Sequence, residues 1–236
     1  KAGVDYGDVE YGTAPTFLFA LTSYLEALKS QPDAGEPLDW ITEMYPKLVA
    51  YYDWLKEHQQ GPRPDTFAWT RLKNGQYPGS GMPTYPRGRG DGKEMHLDAL
   101  CWMLFYAQHL QDLALFLGED GTRFAQDHER YLDSLNRYHL DTNSKLYYDV
   151  VYIDDATDTV THSGHFGLVS LFPLIVTHVR SDAVPLAATL RKLKNTLVTP
   201  HGLASLDKTD KAHVASSPWC GGVHIGMNFL VLNALK

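Results

Sequence analysis

Cysteine is nearly absent from this chain: 2 residues, Cys101 and Cys220, in 236. Two thiols cannot build a framework of bridges, so the redox compartment stays open and the fold has to rest on a hydrophobic core. Cys101 falls in an apolar helical stretch and reads as inert core. Long apolar runs are missing too. The most apolar segment, HFGLVSLFPLIVTHV at 165–179, is shorter than the roughly 18 residues of a membrane span and contains Pro173. It reads as a buried helix broken by proline. Positive charge is in deficit: the formal net charge of −7 disfavours nucleic acid as an electrostatic partner. No Asn-x-Ser/Thr sequon occurs, which weighs against a heavily glycosylated secretory life. The opening KAGVDYGDVE has neither an initiator Met nor a charged-then-apolar leader, so the chain reads as a processed protein or part of a longer one.

The familiar catalytic motifs are also lacking. GRGDGK at 88–93 has glycines and Lys93 ahead of a helix, and helix N-termini attract anions. It lacks the P-loop spacing, however, and no strand precedes it, so phosphate binding is the minor reading. The 11 histidines are scattered. The nearest pairings are His96/Asp98 and His162/His165, without HExxH or Cys/His spacing, so neither metal nor cofactor is expected. No G-x-S-x-G is present, and Cys220, next to Trp219, reads as packed rather than nucleophilic.

What the chain does have is helical periodicity. Residues 14–30, 36–59 (with Pro46 inside), 93–118, 120–140, 165–180, 182–197 and 222–236 carry apolar side chains at three-and-four spacing. Thr13 is placed to cap the first helix and Gly118 to close the third. Strongly apolar segments alternate with more polar ones, the pattern of buried helices covered by outer ones in two layers. One stretch, 145–162, alternates with period two and reads as a β-hairpin turning near Asp154–Asp158. The expectation is an all-α single domain over 1–236 with one short hairpin, near the upper size that one core serves. Aromatics make up 12%, which fits a large core better than sugar-binding platforms.

Six blocks carry a family resemblance. They are APTFLFAL (14–21), SGMPTYPR (80–87), EMHLDALCWM (94–103), GLVSLFPL (167–174), GLASL (202–206) and PWCGGVHIGMNFLVL (218–232). In this order they resemble the C-terminal half of the catalytic domain of glycoside hydrolase family 63, the processing α-glucosidase I (mannosyl-oligosaccharide glucosidase) family. The resemblance runs from about residue 12 to the end. It implies part of an (α/α)6 toroid, with the upstream helices and the family's N-terminal β-rich domain absent. It also implies sugar bound at one open end and, for the family's usual location, the endoplasmic reticulum lumen.

The chemistry implied by the resemblance is inverting hydrolysis of a terminal α-1,2-linked glucose. That reaction needs one carboxylic acid and one carboxylate about 6.5–9.5 Å apart, with room between them for the attacking water. The family keeps its acid in Leu-Asp-Asp-Tyr-Pro-Arg, where this chain has Met82-Pro83-Thr84-Tyr85-Pro86-Arg87. Its base is a Glu shortly before Tyr-Trp-Arg-Gly. Here the stretch from His213 through Ser216 to Trp219-Cys220-Gly221 holds no carboxylate, and the family's later Trp is His224. Pro83 and Thr84 cannot donate a proton at neutral pH. The leading expectation is a catalytically inactive relative kept as a structural or assembly component. A protein partner or further chain would complete its toroid. The alternatives are an active α-glucosidase with Asp91, Asp207 or Asp210 as substitutes and His213 as base, and a glycan-binding module. Tyr85, Arg87, His96, Asp98, Trp102 and Trp219 are the candidates for oligosaccharide binding, each with packing or ion pairing as the plainer reading.

Overall fold

The structure is a computed structural model and describes residues 12–29, 37–88, 91–176 and 183–235. Arg89 and the expected helical turn at 177–180 lie outside the described residues. In chain order come α1 (Phe17–Lys29), α2 (Pro37–His58), α3 (Leu97–Leu117), α4 (Thr122–Ser134), β1 (Leu140–Asp141), β2 (Leu146–Tyr147), β3 (Val150–Asp154), β4 (Thr159–His162), α5 (Phe172–Val176), α6 (Ala183–Thr196), β5 (Val198–Thr199), β6 (Gly202–Leu203) and α7 (Ile225–Ala234).

The helices form two layers. α3 packs against α1 and α5, and α5 against α7, so α1, α3, α5 and α7 make an inner arc. α2 and α4 cover α3 from outside. α3 is buried along nearly its whole length, from Leu97 to Ala114, because helices flank it on several sides. α4 hides only Phe124, Asp127, Tyr131 and Ser134, the stripe of an outer helix. The outer helices are tied by a buried polar contact. The Tyr52 hydroxyl donates to Asp127 at 2.7 Å, and Lys56 reaches the same oxygen at 2.7 Å.

Helix boundaries follow local chemistry. Gly118 adopts φ 75°, and its N–H closes α3 onto Ala114 and Leu115, as its sequence position predicts. Thr13 does not cap α1. Its N–H and hydroxyl meet the Tyr51 hydroxyl instead, at 3.0 and 3.2 Å. Pro173 does not break its helix either. It is the second residue of α5, where its missing N–H has no intrahelical acceptor to lose.

Among the described residues the single expected hairpin becomes three short antiparallel pairs: β1–β2, β3–β4 and β5–β6. The turn is where the sequence puts it, with Asp154 opposite Thr159 and Asp158 at φ 55°. The hairpin itself begins at Val150, however. Leu146 and Tyr147 pair backwards onto Leu140 and Asp141 through a turn with Lys145 at φ 60°. Alternation marks extended chain but not its partner, so the boundary between two adjacent pairs was invisible in it.

Candidate functional site

The segments that lead into the four inner helices meet at one end of the arc. Ala14 N–H donates to the Gly79 carbonyl at 2.9 Å, joining the chain before α1 to the loop before α3. A Cβ on Gly79 would fall 2.1 Å from the Gly12 carbonyl oxygen, so only glycine lets these backbones touch. Leu168 N–H donates to Ser205 and Asp207 N–H to Phe166, at 2.9 and 2.8 Å, joining the chain before α5 to the chain before α7. Gly167 sits inside that junction. A Cβ there would lie 2.3 Å from the Ser205 carbonyl oxygen and 2.7 Å from the Tyr85 hydroxyl. The last link is side chain to backbone: Cys220 Sγ donates to the Thr84 carbonyl at 3.1 Å.

Beneath the 82–88 loop lies a buried ionic floor. The Arg87 guanidinium is fully buried. It donates to both Asp98 oxygens, at 2.9 and 2.7 Å, and to Asp149 at 3.0 Å. The second Asp149 oxygen accepts from Leu97 N–H at 2.7 Å, anchoring the start of α3. Tyr77 and Tyr85 lie against the guanidinium, 5.8 and 5.7 Å from ring centre to Cζ. Burial and then the Asp149 charge push the Tyr85 phenol well above its ordinary range, so it stays a neutral hydroxyl.

His96 is buried beside this floor. Its Nδ1 accepts from Trp69 N–H at 2.9 Å, which leaves Nε2–H to face Glu94 at 3.2 Å. The Tyr77 hydroxyl donates to the same Glu94 oxygen at 2.8 Å, and a Cβ on Gly88 would strike that carboxylate. Trp102 is buried between Phe19, Phe105 and Phe172, and its indole N–H has no hydrogen-bond partner.

The loop tips are different. Met82 and Tyr85 are buried anchors, Pro83 between them is half-buried, and Thr84 is the exposed tip of the loop. Opposite them Trp219 stacks on His224 with ring centres 4.4 Å apart, and Ser216 is exposed. The His213 ring presses on Gly221, and its Nδ1 is buried without a partner.

The aspartates of the neighbouring loops are engaged. Asp207 pairs with Lys192 at 2.6 Å and accepts from Thr209 N–H and hydroxyl at 2.8 and 2.7 Å. Burial pushes its carboxyl up, but Lys192 and Thr209 outweigh burial and hold it below the usual range, so Asp207 is an anion at neutral pH. Asp210 accepts from His165 Nδ1 at 2.8 Å and from Ala212 N–H at 2.8 Å. Asp91 is exposed and accepts from Lys93 N–H at 3.0 Å.

The structure thus brings Tyr85, Arg87, His96 and Asp98 into one network. Trp102 lies deeper in the core, and Trp219, Ser216 and His213 lie on the facing loop. Sequence reading missed Asp149, Glu94, Tyr77 and His165. Asp149 had a weak signal as an acidic residue set between apolar neighbours Tyr148 and Val150. Tyr77 and Glu94 had none, and His165 stands out only through its pairing with His162. Among the described residues no cluster of three or more His, Cys, Asp or Glu is placed to hold a metal, and no helix is long and apolar enough to cross a membrane.

Comparison with known proteins fits this layout. Residues 7–236 match the glycosyl hydrolase family 63 C-terminal domain. The chain belongs to glycosyl hydrolase family 63. The probable mannosyl-oligosaccharide glucosidase of Schizosaccharomyces pombe is 27% identical over 268 residues, covering 94% of this chain and 32% of that protein. The mannosyl-oligosaccharide glucosidase of Saccharomyces cerevisiae is 26% identical over 241 residues, covering 92% and 28%. Among solved structures, the family 63 mannosylglycerate hydrolase of Thermus thermophilus in complex with glucose superposes with a TM-score of 0.77 at 16% identity, covering 100% of this chain and 64% of that one. The fold is therefore shared, while this family 63 chain spans about a third of its curated relatives' length.

Proposed function

We propose that this family 63 chain is a glucosidase-like domain that has lost hydrolytic activity and serves as a structural or assembly component of a larger protein or complex. The observation that carries the reading is what stands where the loops meet. The residues at Cys220 Sγ···Thr84 O are Pro83, Thr84, Trp219 and Cys220, and none of them is a carboxylic acid. Inverting hydrolysis requires a protonated carboxyl on one side and a carboxylate on the other. Asp207 is held ionised by Lys192 and Thr209, Asp210 is bonded to His165, and Asp91 faces its own Lys93 backbone.

Two apolar surfaces support the assembly part of the reading. α7 leaves Ile225 at 86%, Phe229 at 62% and Leu232 at 61% exposure. A 380 Å³ hollow opens between Phe19 of α1, Phe105 of α3, Ile175 of α5 and Phe229 of α7. Large contiguous apolar surface is rarely left to water. The inner arc is one part of an (α/α)6 toroid, and further helices, from the same polypeptide or a partner, close it over this face.

The test is hydrolysis by the full-length polypeptide of glucosylated oligomannose and of small alkyl α-glucosides, whose leaving oxygen needs a proton. No glucose release above the uncatalysed rate is expected. Turnover that Asp207→Asn or Asp91→Asn abolishes would overturn the reading and restore the active-glucosidase alternative.

A further inference from the structure

One ionisable pair joins the chain before α5 to the chain before α7. His165 Nδ1 lies 2.8 Å from Asp210, whose other oxygen accepts from Ala212 N–H at 2.8 Å. An anionic carboxylate at that distance fixes the proton on Nδ1, so Nε2 carries the lone pair. The His165 side chain retains 27% exposure against 9% for Asp210, and no described residue hydrogen-bonds to Nε2. The carbonyl of His165 accepts from the Tyr85 hydroxyl at 3.3 Å, and Tyr85 follows Thr84 at the lost acid position. Asp210 is on the loop that runs on to Trp219 and Cys220.

We propose that His165, oriented by Asp210, is the general base of a half-site. This chain would then hydrolyse glycosyl donors whose leaving group needs no proton. The proposal rests on the reading that the acid is lost. A neutral imidazole with its Nδ1–H held by a carboxylate accepts a proton at Nε2 and is stabilised as the imidazolium, the division of labour of a catalytic His–Asp pair. With a glycosyl fluoride, water oxygen bonds to the anomeric carbon while the C–F bond breaks and fluoride leaves with the bonding pair. The water proton passes to His165 Nε2 and then to solvent, so the products are the free sugar, fluoride and a proton. A natural glycoside cannot follow this route, because its alkoxide must be protonated as it leaves.

The probe is α-D-glucosyl fluoride, with fluoride release by the full-length polypeptide read at an ion-selective electrode. Release above the spontaneous rate is expected, falling by at least about 100-fold in His165→Gln and at least about tenfold in Asp210→Asn. Glutamine keeps a donor toward Asp210, so a tie that merely holds the loop would survive the first change with an unaltered melting temperature and an unaltered rate. Absence of release by the wild-type protein, or equal release by both variants, would overturn the proposal. Glucosylated oligomannose is assayed in parallel. Its turnover would overturn the loss of the acid, whereas an effect of the variants confined to the fluoride upholds both statements.

Discussion

Replacing Arg87 by methionine removes the only side-chain cation among the described residues that contacts Asp98 and Asp149 and leaves two carboxylates in the floor at 0% and 1% side-chain exposure. Breaking a buried pair by deleting one partner costs about 3–5 kcal/mol, chiefly for the stranded charge. Here two charges are stranded and a guanidinium is lifted from between Tyr77 and Tyr85, so the upper part of that range applies. That is a large fraction of the roughly 5–15 kcal/mol that stabilises a domain. Lysine at 87 restores charge but not the fork that reaches both Asp98 oxygens, and an intermediate loss of about 1–3 kcal/mol is expected. The assay is urea unfolding of the full-length protein, comparing midpoints at constant m-value. Adding Asp98→Asn and Asp149→Asn to Arg87→Met should recover part of the loss, because amides carry no charge to strand. A loss below about 1 kcal/mol for the methionine variant, or a triple variant weaker than the single one, would refute the ionic floor as a source of stability.

Other consequences are as specific. Gly167→Ala places a methyl against the Ser205 carbonyl and the Tyr85 hydroxyl, so thermal unfolding should shift down by several degrees and the 205–222 loop should become more susceptible to limited proteolysis. Burial lowers the His139 imidazole to about 4, with only the Tyr148 carbonyl bonded to its Nδ1. Its folded pKa is below its unfolded value, so its contribution is present above about pH 6.5 and is lost as pH falls toward 4, to a total of about 3 kcal/mol. Stability measured across that window should fall less steeply in His139→Gln. If further helices close the arc over α7 as proposed, Phe229→Glu should leave the fold of this chain intact but weaken that closure, because a charge would be buried against apolar helices. Unchanged co-purification, or unchanged unfolding of the full-length protein, would argue that nothing covers that face.

The layered helices were legible because burial on one face writes a three-and-four pattern into each segment; α3 follows it at nearly the expected bounds, whereas α4 ends at Ser134 and passes into a π-helical turn over Leu135–His139. The turn after Asp154 was legible from its aspartates, yet the strands around it were not assigned to the right pairs. The pairing of Arg87 with Asp98 was visible as a candidate, since the residues lie close in sequence and bracket the start of a helix. Asp149, the third member, is 62 residues from Arg87, and periodicity says nothing about contacts at that range. The same holds for His165 and Asp210, 45 residues apart. Their contact exists only because the chain before α5 lies against the chain before α7.

That long-range origin separates the packing of the loop end from the residues at its tip. The floor of Arg87, Asp98 and Asp149 fastens the start of α3 to the 82–88 loop through bonds that point inward. At the tip of that loop Thr84 is exposed and Pro83 only half-buried. Exchanging exposed Thr84 therefore costs little stability, whereas exchanging Arg87 removes stability first. The two kinds of position respond oppositely to mutation. A domain of this build can therefore change at its loop tips and keep the loop end folded around Arg87.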